Sequence, residues 1–302
     1  MLALSKSFNN IKIHTQYSIC EGAIKIDELA EYCKQNKIKC IGLADSFNLC
    51  GALEFSEKLS KVGTQPIIGT QINIKESNIL GKITLYSKTE IGYKNLTKLS
   101  SLSYLNSSAI EEPACELRDI IENSKDLILL TGNSRDFFGK LFQANKIKNF
   151  EEIIGLLKKD FKDRLYFEIQ RHDDKDEKNF ENTLLNYSKS LNIPLIATQE
   201  VYYLNKEMYE AHDALRCIGE KSFVDDFYPR ENPLPPPPPA VASTEPNDCK
   251  GKPKVSSSEI LALINEARLK IQQAKWVYHI SSFICNVRNP SEGAYFLLLL
   301  FN

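Results

Sequence analysis

The stretch "IKIHTQYSICEG", residues 11 to 22, puts one imidazole, His14, at the end of an apolar run and closes in a polar turn, Glu21-Gly22. Neutral imidazoles and carboxylates are the groups that hold divalent cations, so the stretch reads as the mouth of a metal site. The position two residues before His14, where a second ligand on the same strand face would sit, carries Lys12 instead. Four more polar groups end or interrupt apolar runs: Asp45 after "IGLA", Gln71 within "QPIIGTQINI", Asn133 after "LILLTG" and Glu200 after "IPLIATQ". Five such strand ends around one mouth would make a pocket. Asp45 is followed by Asn48, Gly51 and the opening of a helix, so it serves either as a ligand or as the cap of that turn. The cap is the more ordinary role of a lone strand-end aspartate.

Positioning such groups requires strands and helices in alternation. Short apolar runs at Lys12 to Thr15, Lys39 to Ala44, Pro66 to Ile74, Ile83 to Ser87, Leu127 to Leu130, Leu165 to Ile169 and Pro194 to Ala197 are strand candidates. Between them lie amphipathic segments such as "IDELAEYCKQN", whose Ile26, Leu29, Ala30 and Cys33 recur at the spacing of one helix face. Alternation of this kind implies parallel strands covered by helices. About seven strands fit a closed βα barrel better than a small open sheet, with an open doubly wound sheet as the alternative. In either fold, functional groups gather at the carboxyl ends of the strands.

The chain has 302 residues, 42% hydrophobic and 25% charged, the composition of a globular protein with a full core. Its 38 Lys and Arg nearly cancel its 39 Asp and Glu, which excludes broad attraction to phosphate backbones and leaves only local patches. The lysine-rich pieces "KTEIGYKNLTK" and "KKDFKDR" alternate with acids and apolar residues and read as solvated helix faces. Eight cysteines are scattered without a C-x-x-C pair, so reduced thiols are expected rather than a disulfide frame or a zinc site. No apolar stretch approaches the roughly 20 residues of a membrane span, and "MLALSKSFNN" is no signal peptide. A cytoplasmic location with no membrane partner is the expectation. Three regions are expected: a folded domain over 1–226, a Pro/Ser-rich extended linker over 227–257 containing Pro235 to Pro239, and a helical tail over 258–302 opening at Ser258.

The blocks "IHTQYSICEGA", "IGLADSFNLCGALEF", "QPIIGTQINI", "EIGYKNLTKLSS", "LILLTGN", "YFEIQRH" and "IATQEVYYL" followed by "AHDAL" stand in a characteristic order and spacing. In this the chain resembles the polymerase and histidinol phosphatase (PHP) domain that begins bacterial DNA polymerase III alpha subunits. The resemblance runs from about residue 8 to about residue 226 and implies a distorted seven-stranded βα barrel. Metal-binding members open H-x-H-x-x-x-S-x-x-D-G and supply nine ligands to a three-metal cluster used in phosphoester hydrolysis or proofreading. Laid over this chain, the family's motif positions, ligands among them, fall on Lys12, His14, Glu21, Asp45, Ser46, Gln71, Lys82, Asn133, Glu200 and Tyr202, with Phe47 where the family has glycine. Only His14 and Asp45 are unchanged.

The resemblance therefore implies a degenerate site in which Lys12 and Lys82 pair with Glu21, Asp45 or Glu200. No catalytic residue and no cofactor are expected, and the role implied is a structural module that docks the proofreading exonuclease subunit and other polymerase III holoenzyme subunits, near DNA. The alternative is a metal-dependent phosphoesterase or 3'-5' exonuclease, with residual Zn or Mn/Mg held by His14, Glu21, Asp45 and Glu200. His172 and His212 match the family outside its metal motifs, and structural roles are expected for both. The polymerase palm would follow residue 226 in the family. The proline run stands there instead, so a truncated, frame-shifted or fused coding sequence, unable to polymerise DNA alone, is expected.

Overall fold

The computed structural model describes residues 9–108, 111–172 and 176–222. The linker and tail expected over 227–257 and 258–302 lie outside the described residues. In chain order the elements are β1 (Lys12–Ile13), α1 (Ile26–Gln35), β2 (Cys40–Ser46), α2 (Ala52–Lys61), β3 (Gln65–Glu76), β4 (Ile79–Ser87), α3 (Glu90–Leu105), β5 (Ala114–Glu116) and α4 (Leu117–Glu122). They continue as β6 (Leu127–Leu130), α5 (Phe137–Gln143), α6 (Ile147–Phe161), β7 (Leu165–Ile169), α7 (Glu177–Leu191), β8 (Leu195–Ala197), β9 (Glu200–Val201) and α8 (Tyr209–Glu220).

One mixed sheet of nine strands runs β8-β7-β6-β4-β3-β2-β1-β9, with β5 paired to β3. All seven strand candidates are present, and β5 and β9 are additional. The all-parallel expectation is corrected at β4, which runs antiparallel to both β3 and β6. The cause is local. Ser77 and Asn78 both take left-handed backbone conformations, φ +53° and +58°, and close a two-residue hairpin in which Glu76 pairs with Ile79. Positive φ at both central residues gives a turn whose twist matches the strands on either side.

The sheet curls into a half-barrel. Its two ends are halves of one short run of chain: Leu195, Ile196 and Ala197 pair with β7, and Glu200 and Val201 then pair with Lys12 and Ile13 of β1. The run hands over from one edge of the sheet to the other and brings β1 across the interior from β7. Close approach is built in elsewhere too, since a Cβ on Gly42 would lie 2.2 Å from the Ile11 carbonyl oxygen.

Helices cover the outer face. In α1 the spacing read from the sequence holds, with Ile26, Leu29, Ala30 and Cys33 buried against β1, β2 and Phe55 of α2. A larger cluster packs α3 to α7 on β3, β4, β6 and β7, with Phe137, Phe138, Phe150, Phe161 and Phe167 at its centre. Phe138 meets Phe137 and Phe150 edge to face, with centroids 5.1 and 5.5 Å away, the arrangement that aromatic quadrupoles favour. Among the described residues no helix is long and apolar enough to cross a membrane. Phe138→Ala is expected to cost about 3–5 kcal/mol of stability in urea unfolding. Leu53→Ala, at a side chain 71% exposed, should change it by less than about 0.5 kcal/mol.

Candidate functional site

The inner face of the half-barrel is polar and largely buried. Lys12, on β1, has no exposed surface, and its Nζ lies 3.0 Å from Glu168 Oε1 of β7 and 3.0 Å from Glu200 Oε1 of β9. One ammonium is thus shared by carboxylates from strands on either side of the closure. Glu168 is saturated: Gly132 N donates to its Oε2 at 3.1 Å, and Gln170 Nε2 (2.7 Å) and Thr198 Oγ1 donate to its Oε1. Glu200 accepts from Gln71 Nε2 at 2.7 Å and from Tyr202 OH at 2.8 Å. Burial pushes the Glu200 carboxyl up, but Lys12, His14 and Lys82 outweigh it and hold the group well below the usual glutamate value. Burial likewise disfavours a charged Lys12, and Glu168, Glu200 and Asp136 reverse that, raising it well above 10.5.

A second, shallower pair lies beside the first. Lys82 Nζ reaches Glu21 Oε1 at 3.0 Å and Ser46 Oγ at 3.1 Å, while Ser46 Oγ donates to Glu21 Oε2 at 2.5 Å. Burial raises the Glu21 carboxyl, and Lys82, His14 and Ser46 bring it below its ordinary value. Phe47 takes φ +64°, a conformation that a bulky residue seldom adopts, and its ring centroid lies 5.1 Å from Lys82 Nζ. The glycine-like backbone is kept and a ring is added under the ammonium.

His14 is fully buried, and burial lowers it to about 4, which keeps the imidazole neutral. Its ring stacks on Tyr202 with centroids 4.4 Å apart. Nδ1 lies 3.4 Å from Ser18 Oγ, whose own hydrogen goes to Asp45 Oδ1. Nδ1 is therefore the donor, and Nε2 is left as a lone pair with no hydrogen-bond partner, 3.9 Å from Glu200 Oε1.

The pairing expected for Asp45 is corrected. Asp45 pairs with neither lysine; Thr15 N (2.6 Å), Thr15 Oγ1 (2.7 Å) and Ser18 Oγ (2.6 Å) occupy its oxygens. It fastens the loop after β1 to β2 and does not cap the turn that follows it, so the expected capping role is corrected as well. Burial raises it to about 6 despite those bonds.

The structure thus brings Lys12, His14, Glu21, Ser46, Gln71, Lys82, Glu200 and Tyr202 together, while Asn133 joins the far wall by donating to Gln170 Oε1 at 2.9 Å. Two carboxylates were missed. Glu168 carried a signal, an acid in the buried strand "LYFEI" where Leu165 and Phe167 take the other face. Asp136 precedes α5 and carried none; burial pushes it up to about 7, against Lys12. His212 Nε2 donates to the Glu21 carbonyl at 2.7 Å and ties α8 to the loop. A cavity of about 260 Å³ opens over Glu21, Lys82, Glu200 and Tyr202, with Arg135, Lys140, His172 and Arg216 at its walls.

Metal-ligand geometry is a poor fit to these residues. Ammonium groups stand between the carboxylates, Asp45 has no free oxygen, and among the described residues no group of three or more His, Cys, Asp or Glu is arranged to hold a metal ion.

The family model of the PHP domain matches residues 10–172, more than half of the chain. The chain belongs to the PHP domain family. Its relatives are large polymerase subunits: it is 35% identical over 230 residues to DNA polymerase III subunit alpha of Caulobacter vibrioides, covering 74% of this chain and 20% of that protein. It is 37% identical over 220 residues to the subunit of Rickettsia felis (70% and 18%) and 33% identical over 229 residues to that of Borreliella burgdorferi (72% and 20%). The chain spans about one fifth of the length of the curated relatives it matches.

Lys12→Met leaves two buried carboxylates without their counter-charge and is expected to cost about 3–5 kcal/mol. Lys82→Met, at a side chain 25% exposed, should cost less. The depressed Glu200 stabilises the fold above its unfolded value of 4.5, and that stabilisation is lost as pH falls through the folded value. Urea midpoints of wild type and Lys12→Met should therefore differ most near neutral pH and draw together only as pH falls below 4.5 and through the depressed folded value of Glu200.

Proposed function

We propose that this PHP domain is a structural and docking module of a replicative DNA polymerase alpha subunit, with an ionic network where other members of the family hold metal. The observation that carries this reading is Lys12, whose ammonium lies 3.0 Å from both Glu168 and Glu200, the place and charge a bound cation would take. On this reading the half-barrel is a distorted PHP barrel over 1–226, and His14, Glu21, Asp45 and Glu200 are the remains of a ligand set. It works in the cytoplasm beside DNA, and its partners are the proofreading exonuclease subunit and other holoenzyme subunits. Similarity of 33–37% to polymerase alpha subunits supports the assignment.

One observation favours the other reading, a metal-dependent phosphoesterase or 3'-5' exonuclease: the unpartnered Nε2 of His14 is the lone pair that a Zn or Mn/Mg ion would use. Elemental analysis of the purified chain, run with hydrolysis of a chromogenic phosphodiester, separates the two. Far less than one metal per chain and no turnover are expected. About one metal per chain, with turnover abolished in His14→Ala, would put the phosphoesterase first.

A further inference from the structure

Three nitrogens stand around Glu200 Oε1: Lys12 Nζ at 3.0 Å and Gln71 Nε2 at 2.7 Å bind it, and His14 Nε2 lies 3.9 Å away without donating to it. Of these only Gln71 Nε2 makes a hydrogen bond; Lys12 Nζ is held by its two ion pairs, and His14 Nε2, fully buried, has neither a hydrogen bond nor a close ion pair. Its ring is held from both sides, by the Tyr202 stack and by Ser18. Glu168 is equally fixed, by Gly132 N, Gln170 and Thr198. The walls of a cation site are therefore held in place by residues other than the cation. Only the tip of Lys12 fills its centre.

From this we infer that Lys12 is a tethered ligand: Glu168, Glu200 and His14 form a preorganised site for one small cation, and the chain supplies that cation itself. The inference rests on the metal-free reading above and makes it specific, since it says why an external ion does not compete. A free cation must give up its water and its translational freedom to enter, whereas the Lys12 ammonium is already in place at high effective concentration. Cutting Lys12 back should expose a site that takes a primary alkylammonium ion, the chemical equivalent of the missing side-chain end. A divalent ion is the competing occupant, one that the arrangement of these side chains does not favour.

The test is Lys12→Ala in the full chain, melted with increasing ethylammonium chloride and, separately, zinc or manganese chloride, against choline chloride at matched ionic strength. Choline is a cation too bulky for the space. Ligand bound by the folded state alone raises Tm with concentration. Ethylammonium is expected to raise the Tm of Lys12→Ala by about 5 °C toward saturation, choline to do nothing, and wild type to respond to neither. Adding Glu168→Gln to Lys12→Ala should abolish the response. Lys12→Met, whose side chain refills the space without charge, should show none.

If Lys12→Ala does not fold unaided, the yield of folded chain on dilution from urea replaces Tm, and ethylammonium-dependent recovery supports the site. Failure of ethylammonium and both metals to stabilise or recover Lys12→Ala, or an equal response from wild type, would overturn the inference. Stoichiometric metal on wild type would instead overturn the metal-free reading, so the two failures are distinguishable. Rescue by metal alone would overturn the ammonium-shaped site and leave a latent metal site.

Discussion

A lysine ammonium with no solvent-exposed surface has to be neutralised within the protein, and at Lys12 that requirement organises the half-barrel. Its two counter-charges, Glu168 and Glu200, come from β7 and β9, elements that meet only because the run Leu195–Val201 passes from one edge of the sheet to the other. The ion pairs and the closure are the same constraint seen twice. If β9 did not pair with β1, Glu200 would leave Lys12, and if Lys12 were neutral, two carboxylates would face each other across a buried interior. The remaining polar groups serve this centre: Gln71 and Tyr202 fix Glu200, while Gln170, Thr198 and Gly132 fix Glu168.

Buried ion pairs are not in general a source of net stability, because each charge loses its hydration. Their consequence is specificity: with every partner in place the arrangement holds, and with one removed the rest are stranded. The interior has the charge pattern of a cation site, carboxylates around a central positive charge, but that charge is covalently part of the chain. Asp45 shows the same conversion in another form. Instead of offering oxygens inward, it spends them on Thr15 and Ser18 and so fixes the loop that carries Glu21.

Much of the fold was legible because burial leaves a periodic trace. The α1 stripe and the strand runs stand in the sequence as they do in space. The β3–β4 hairpin was not, because Ser77-Asn78 turns the chain without the glycine that usually marks such a turn, and β9 is two residues long. Within the site, Lys12 was visible as a charge in a ligand's place, and Glu200 and Glu21 as candidate partners. The pairing of Glu168 with Lys12 spans 156 positions of sequence between strands that share no ladder, and nothing local announces it. The partners of Asp45 were not legible, because a carboxylate at a strand end looks the same whether it faces a cation, the turn that follows it or a loop from a neighbouring strand. Only the hydroxyls of Thr15 and Ser18 decide between them.

The central claim is that Lys12 remains a charged ammonium in the buried interior because two carboxylates hold it there. Nitrogen-15 NMR of the lysine side chains across a pH titration reads this directly. The account predicts one ammonium resonance, lost in Lys12→Met, that exchanges slowly with water and stays protonated beyond the ordinary lysine value of 10.5. A Lys12 resonance that deprotonates below that value, or carries the shift of a neutral amine at neutral pH, would contradict it.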